Sequence, residues 1–304
     1  MAPMTTAPEN LRQTGFDQPI HFALPDRDAR GRLVRLGPVL QEILGTHAYP
    51  SAVAHLLAEA ITVCALMGSL LKDEGSQLTM QAQAKGGAVT LMVCDYRDGE
   101  VRGYADCDRE KAAELSPGAP LSVLFGEGHL AVTFDLAVKP GRYQGIVPLE
   151  GSSIAEAVEG YFVQSEQLPS LIRTAIRLDG DAPVAAGMLL QHLPDGEEGR
   201  ERLHVRLDHP EWQHASTMAA SLQDEELLDP DLSLEDIVWR LYHEEREILT
   251  EQGPALSRGC RCSVIHFENV LARFGKEDRD EMRSDDGFIR VDCAFCSREF
   301  LVED

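Results

Sequence analysis

Basic residues are scarce in this chain and nowhere clustered: 28 lysines and arginines stand against 51 acidic residues in 304, for a formal net charge of −23. A surface of that sign repels a phosphate backbone, so nucleic acid is a poor partner. The first residues, MAPMTTAPENLRQTG, lack the basic start and apolar run of a secretory signal, and the longest apolar stretches are too interrupted to cross a bilayer. The sequence therefore reads as cytoplasmic, with no membrane partner. Catalytic motifs are missing too. KGG at 85–87 is too short and wrongly placed for a phosphate loop and reads as a turn between strands. Ser165 and Glu166 in SEQLPS have no histidine or second acid in a recognisable local motif and read as a helix-to-strand turn. An enzyme is not expected. Seven cysteines, an odd number in a reducing compartment, argue against a static disulfide framework.

What is present suffices for a packed interior. The chain is 43% hydrophobic, and its length points to one large core plus something smaller. PIHFAL and RLVRL read as strands, and YPSAVAHLLAEAITVCALMGSLLKDEG as a long helix buried on most sides and stopped by Gly75. QLTMQAQAK, AVTLMVCDYR, VRGYADC, HLAVTFDLA and RYQGIVPL follow as an antiparallel meander. Ser152 or Ser153 caps the helix SIAEAVEGYFVQS with Glu156 placed for a capping box, and SLIRTAIRL and PVAAGMLLQHLP add two strands. Cys64 and Cys94 read as buried small hydrophobes, whereas Cys107 lies in a more polar setting. The mixture predicts an α+β fold with an N-terminal core of antiparallel sheets and packed helices over residues 1–195.

Beyond that core the composition changes: 28 of the 51 acidic residues lie in 195–304. Residues 196–250 read as a linker with two helical pieces, Glu211–Leu222 and Leu234–Glu244, the second N-capped by Ser233. Both tryptophans of the chain fall here. Such short helices are marginal without a partner surface. Residues 251–304 are too few to bury much apolar area and need a staple.

Four thiols offer one. Cys260-x-Cys262 and Cys293-x-x-Cys296 supply the soft, four-fold donor set that a structural Zn2+ prefers. In C-x-C both side chains share a side only if the middle residue is extended, so Arg261 should face away from the metal. His266, four residues after Cys262, could stand in for a thiolate, but with four cysteines available it reads as an ordinary helical histidine.

These cysteines, together with YFVQSEQLPS at 161–170, RYQGIVPLEG at 142–151 and YPSAVAHLLAEAITVCALMGSLLK at 49–72, resemble the heat shock protein 33 family of redox-regulated molecular chaperones, over about Phe22 to Val302. The resemblance implies zinc held by Cys260, Cys262, Cys293 and Cys296 in a reduced, inactive form. Oxidation would then form disulfides Cys260–Cys262 and Cys293–Cys296, release the zinc, melt the redox domain and linker, and yield a homodimeric, ATP-independent holdase for unfolded or partly folded client proteins. Candidate client contacts are Trp212, Met218, Leu222, Ile237, Trp239, Leu241 and Tyr242. The alternative from another class is a thiol-disulfide oxidoreductase using Cys293 and Cys296, although that pair follows a strand near the chain end rather than opening a helix.

Overall fold

The computed structural model describes residues 15–138, 141–179, 182–193 and 208–303. The expected boundary between 195 and 196, and the first part of the expected linker, lie outside these residues. In chain order the elements are β1 (Ile20–Leu24), β2 (Ala29–Leu36), α1 (Pro38–Leu44), α2 (Ser51–Gly68), β3 (Gln77–Gly86), β4 (Val89–Arg97), β5 (Glu100–Cys107), α3 (Arg109–Ala113), α4 (Leu121–Phe125), β6 (Gly126–Leu136), β7 (Gly141–Pro148), α5 (Ile154–Tyr161), β8 (Ser170–Arg177) and β9 (Val184–His192). The remainder comprises α6 (Pro210–Ala220), α7 (Asp224–Leu228), α8 (Leu234–Tyr242), β10 (Leu249–Gln252), β11 (Ser257–Arg258), α9 (Val264–Leu271), α10 (Lys276–Met282), β12 (Ile289–Asp292) and β13 (Glu299–Val302).

The α+β expectation holds. One sheet runs β10-β1-β2-β9-β8 and a second runs β11-β5-β4-β3-β6-β7, with β12 and β13 forming a hairpin apart. Helix α2 lies between the two large sheets, packed on β2, β8 and β9 on one side and on β3, β4 and β5 on the other. Its sequence is apolar all round, the pattern of a helix with no solvent face. Contrary to the expectation drawn from interrupted runs, Ser51–Gly68 is long and apolar enough to cross a membrane, yet 83% of it is buried inside the protein. Helix α5 packs beside α2 and is N-capped by Ser153, whose hydroxyl accepts from the Glu156 N–H at 3.1 Å. The returning bond of the expected capping box shifts by one residue: the Glu156 carboxylate accepts from the Ser152 N–H at 2.7 Å. Cys64 and Cys94 are buried as expected, and burial pushes both thiols up.

Strand β9 is buried along its whole length because both faces of its sheet are covered. The face turned away from α2 carries Ile20, Phe22, Leu24, Leu33, Met188 and Leu190, and helices α6, α7 and α8 close over it as one apolar cluster. Helix α8 forms because Ser233 caps it, accepting from the Asp236 N–H at 3.0 Å, and because its apolar residues fall on one side. Arg35 sits in the middle of this covered face, only 2% exposed. It donates to the backbone carbonyls of Leu227 at 2.7 Å, Leu232 at 2.9 Å and Glu226 at 3.3 Å, so the turn after α7 is fastened to β2 by a buried cation. Arg35→Met keeps the bulk and removes the donors, leaving three carbonyls unpaired. It is expected to cost about 2 kcal/mol and to speed amide exchange across 224–232 while leaving 51–68 protected.

His21, on the other face of β1, pairs in register with Arg32 of β2 and Glu251 of β10. Burial, then the charge of Arg32, pulls its imidazole from 6.5 down to about 4. A depressed histidine leaves the folded state holding fewer protons than the unfolded chain, so this contribution to stability is complete above about pH 6.5 and is lost as pH falls through about 4. Denaturant melts between pH 7 and pH 4 should therefore show a smaller loss of stability in His21→Gln than in the unaltered chain.

Candidate metal centre

The two cysteine pairs meet. All four Sγ atoms lie within 4.8 Å of one another. Cys260 is 3.1 Å from Cys262 and 3.5 Å from Cys293, and Cys262 is 3.5 Å from Cys296. A tetrahedral tetrathiolate with bonds of about 2.3 Å has sulfur–sulfur edges of about 3.8 Å, so this cluster fits a zinc ion with small outward adjustments. His266 is exposed on α9 and is not among the clustered donors.

Local backbone chemistry positions the thiols. Residues 253–259 run along the edges of both sheets, and the Gly259 N–H donates to the Val101 carbonyl at 2.9 Å. A side chain at 259 would put its Cβ 2.5 Å from the Glu100 Cβ, so only glycine lets the chain lie this close to β5 immediately before Cys260. The second pair sits in a tight knuckle. The Cys293 carbonyl accepts from the N–H groups of Cys296 and Ser297, at 3.3 and 2.8 Å, and Ser297 takes a left-handed φ of 53°.

Burial pushes the Cys260 thiol up. Hydrogen bonds from the neighbouring thiols and from the Cys262 N–H outweigh that and bring it down to about 7. Burial and the adjacent thiols hold Cys262 above its ordinary value, and burial raises Cys293, against the pull of the Cys296 and Phe295 N–H groups. Cys260 thus gives up its proton more easily than an ordinary thiol, and Cys262 and Cys293 less easily. Cys293, the first thiol of the C-x-x-C, is 6% exposed and shifted upward, the reverse of what an exchange nucleophile requires.

The residues between the cysteines are held by the core, and sequence reasoning missed the groups that hold them. Arg261 does turn away from the sulfurs: its Nη1 donates to Gln77 Oε1 at 2.6 Å. From there Gln77 Nε2 donates to Thr79 Oγ1 at 3.0 Å, and Thr79 to Asp95 Oδ1 at 2.6 Å. Arg102 donates twice to Asp95 Oδ2, at 2.8 and 2.5 Å, and its guanidinium lies 4.0 Å from the centroid of the Phe295 ring. Phe295 belongs to the other cysteine pair, so a polar chain across β3, β4 and β5 links the two knuckles. His47 Nε2 donates to the Ala294 carbonyl at 2.8 Å, and Arg258 to that of Phe295 at 3.3 Å. Nothing in the sequence signals these positions, because polar residues alternating on a strand also describe an ordinary solvated face.

The family profile described as Hsp33 protein matches residues 17–303. The chain belongs to the Hsp33 family. Among its Hsp33 relatives, a 33 kDa chaperonin of Caulobacter vibrioides is 37% identical over 292 residues, covering 93% of each chain. Another, from Pseudomonas paraeruginosa, is 39% identical over 293 residues, covering 94% of this chain and 92% of that one. The fold matches the crystal structure of the 33 kDa chaperonin, or heat shock protein 33 homolog, of Thermotoga maritima, with a TM-score of 0.75 and 22% identity over 94% of this chain and 95% of that one.

Of the seven candidate client contacts in this Hsp33 chain, Trp212, Leu222, Ile237, Leu241 and Tyr242 are buried against the first sheet and Met218 is partly so. Trp239 stands apart from that cluster, its ring 6.2 Å from that of His243.

Because metal binding requires thiolates and at least Cys262 and Cys293 are held protonated, loading the reduced protein with Zn2+ at pH 7 should release roughly two or more protons per ion. Calorimetry in buffers of different ionisation enthalpy measures this number, and the apparent affinity should fall steeply on acidification.

Proposed function

We propose that this protein is a cytoplasmic, redox-regulated, ATP-independent holdase, built from an N-terminal core to about residue 195, a metastable linker over 196–250 and a zinc-binding switch over 251–304. The observation that carries the reading is the convergence of all four thiols in a unit with almost no interior: Leu271, Ile289 and Val302 are its buried apolar cluster, with Phe267 and Val291 packed alongside. Membership of the Hsp33 family and the names of its 33 kDa chaperonin relatives support a chaperone.

In the reduced form Cys260, Cys262, Cys293 and Cys296 would hold one zinc ion. When bound, it supplies the cross-link between the two halves of the switch, on the order of 10 kcal/mol. Oxidation of two thiols to a disulfide transfers two electrons, so one molecule of peroxide per pair is reduced to two of water. Thiol separations alone leave cross-pairs open, since Cys260 to Cys293 and Cys262 to Cys296 are both 3.5 Å. A cross-pair disulfide would keep the two halves stapled, whereas Cys260–Cys262 and Cys293–Cys296 join only near neighbours and remove the staple. We therefore assign the within-pair bonds to activation.

Loss of the switch would loosen α6, α7 and α8 and uncover the apolar face of the first sheet for clients, with Trp212, Met218, Leu222, Ile237, Trp239, Leu241 and Tyr242 as candidate contacts on the linker side. The net charge of −23 keeps client complexes apart by repulsion. A homodimer on oxidation completes the reading.

The test treats the reduced, zinc-loaded protein with peroxide while following zinc release with a chelating dye and light scattering of a heat-denatured client. Suppression should rise with zinc release, and amide protection should be lost across 208–303 while 51–68 stays protected. Equal suppression by the reduced form, or catalytic turnover of an insulin disulfide, would contradict it. Cys296→Ser should weaken zinc binding and give partial activity without oxidant.

A further inference from the structure

One short segment, 249–259, closes the edges of both core sheets. Strand β10 pairs antiparallel with β1, Ile20 opposite Gln252, His21 opposite Glu251, Phe22 opposite Thr250 and Ala23 opposite Leu249. The chain then passes to the second sheet, where β11 pairs in parallel with the start of β5. Its N–H groups follow one another along the two edges: Gly253 to the Pro19 carbonyl at 2.8 Å, Leu256 to Asp17 at 2.6 Å, Ser257 to Gly99 at 3.0 Å and Gly259 to Val101 at 2.9 Å.

Leu256 anchors the middle of the segment in the main core, 6% exposed, but strand β10 itself is attached almost entirely by main chain. No residue of β10 is buried, and Leu249 is 51% exposed. Residues opposite one another across an antiparallel pair share a face, so Thr250 and Gln252 stand beside Phe22 and Ile20 on the face that α6, α7 and α8 cover. A polar residue against an aromatic or β-branched one forgoes the cross-strand packing that such a position offers. Strand β10 thus supplies the hydrogen bonds that an edge requires and few of the side-chain contacts available there.

We propose that β1 is a strand-addition site, and that in the activated protein an extended segment of an unfolding polypeptide, with apolar residues at alternate positions, pairs along it in the place β10 holds before activation. This rests on the holdase reading and specifies how the uncovered surface is used. Removal of β10 leaves a row of unpaired donors and acceptors, a template for any extended chain. The apolar face begins at that same strand, through Ile20, Phe22 and Leu24. A client residue such as valine at the place of Thr250 or Gln252 would continue the face and bury area that the polar residue does not, so a client competes well with β10 for the edge. Main-chain pairing is indifferent to sequence, which suits a partner recognised only by being unfolded.

The test uses the oxidised full-length protein and two eight-residue peptides of alternating valine and threonine, one unmodified and one N-methylated at alternate residues along a single edge. Since Gly253 donates to Pro19, alternation makes His21 and Ala23 the residues whose main-chain groups face the incoming strand. The unmodified peptide should protect the His21 and Ala23 amides from exchange, and methylation should weaken binding at least about tenfold. Thr250→Val combined with Gln252→Ile, which makes β10 a better competitor and leaves the cysteines alone, should lower peptide affinity. Equal affinity for both peptides, or unprotected amides at 21 and 23 while aggregation is still suppressed, would overturn strand addition and leave the holdase reading intact. Protection that rises with protein concentration in the absence of peptide would assign the edge to a second copy of this chain and also overturn it. Failure of the oxidised protein to suppress aggregation at all would sink the holdase reading, and this proposal with it.

Discussion

Four sulfur atoms gathered within 4.8 Å are the constraint on which the unit over 260–303 depends. The unit they tie together has a three-residue buried cluster, and its helix α9 leaves Val264, Ile265 and Val270 exposed. Hydrophobic burial on that scale does not order some forty residues against their conformational entropy. A cross-link does, by restricting the unfolded chain and by fixing both ends of the 30-residue stretch between Cys262 and Cys293.

Attachment to the core runs through the residues that separate the cysteines, not through the cysteines themselves. Arg261, in the C-x-C, is bound by Gln77, while Ala294 and Phe295, in the C-x-x-C, are bound by His47 and Arg102. Each contact demands that its knuckle be folded, because only a tight turn presents the Ala294 carbonyl to His47 while the Phe295 ring lies on Arg102. Opening the C-x-C knuckle takes the Arg261 donor from Gln77 Oε1, and opening the C-x-x-C knuckle takes the Phe295 ring from Arg102 and the Ala294 carbonyl from His47. Docking and metal-site geometry are therefore mutually supporting.

The sequence revealed what local pattern can carry. The apolar run of α2, the period-two strands of both sheets and the Ser233 cap were legible because each is a property of neighbouring residues. The four thiols were legible because two closely spaced pairs, flanking a unit too small to stand alone, call for a shared metal. What escaped was whatever long-range contact creates. Strands β10 and β11 are four and two residues of polar sequence, LTEQ and SR, and become strands only because the edges of β1 and β5 are there to pair with. Helix α10, KEDRDEM, has no apolar face and shows only as charge. RLVRL reads in sequence only as a strand, and the burial of its Arg35 follows from the helices that close over it. The docking residues His47 and Arg102 are invisible for the same reason.

The covers over the edges and over the face of the first sheet are not held equally. Strands β10 and β11 bury no side chain of their own beyond partial contact, and between them Leu256 alone enters the main core. Helices α6, α7 and α8 are different: Trp212, Leu222, Leu227, Ile237 and Tyr242 are all at least nine-tenths buried, and Arg35 adds a buried polar fastening. Burying each such large side chain contributes about 1.5–3 kcal/mol, so the helices have a hold on the sheet that owes nothing to sulfur. The edges of the two sheets are thus covered by main-chain pairing, and the face of the first sheet by large buried side chains. Shared covalent connection through 243–259 joins the two covers without making them one.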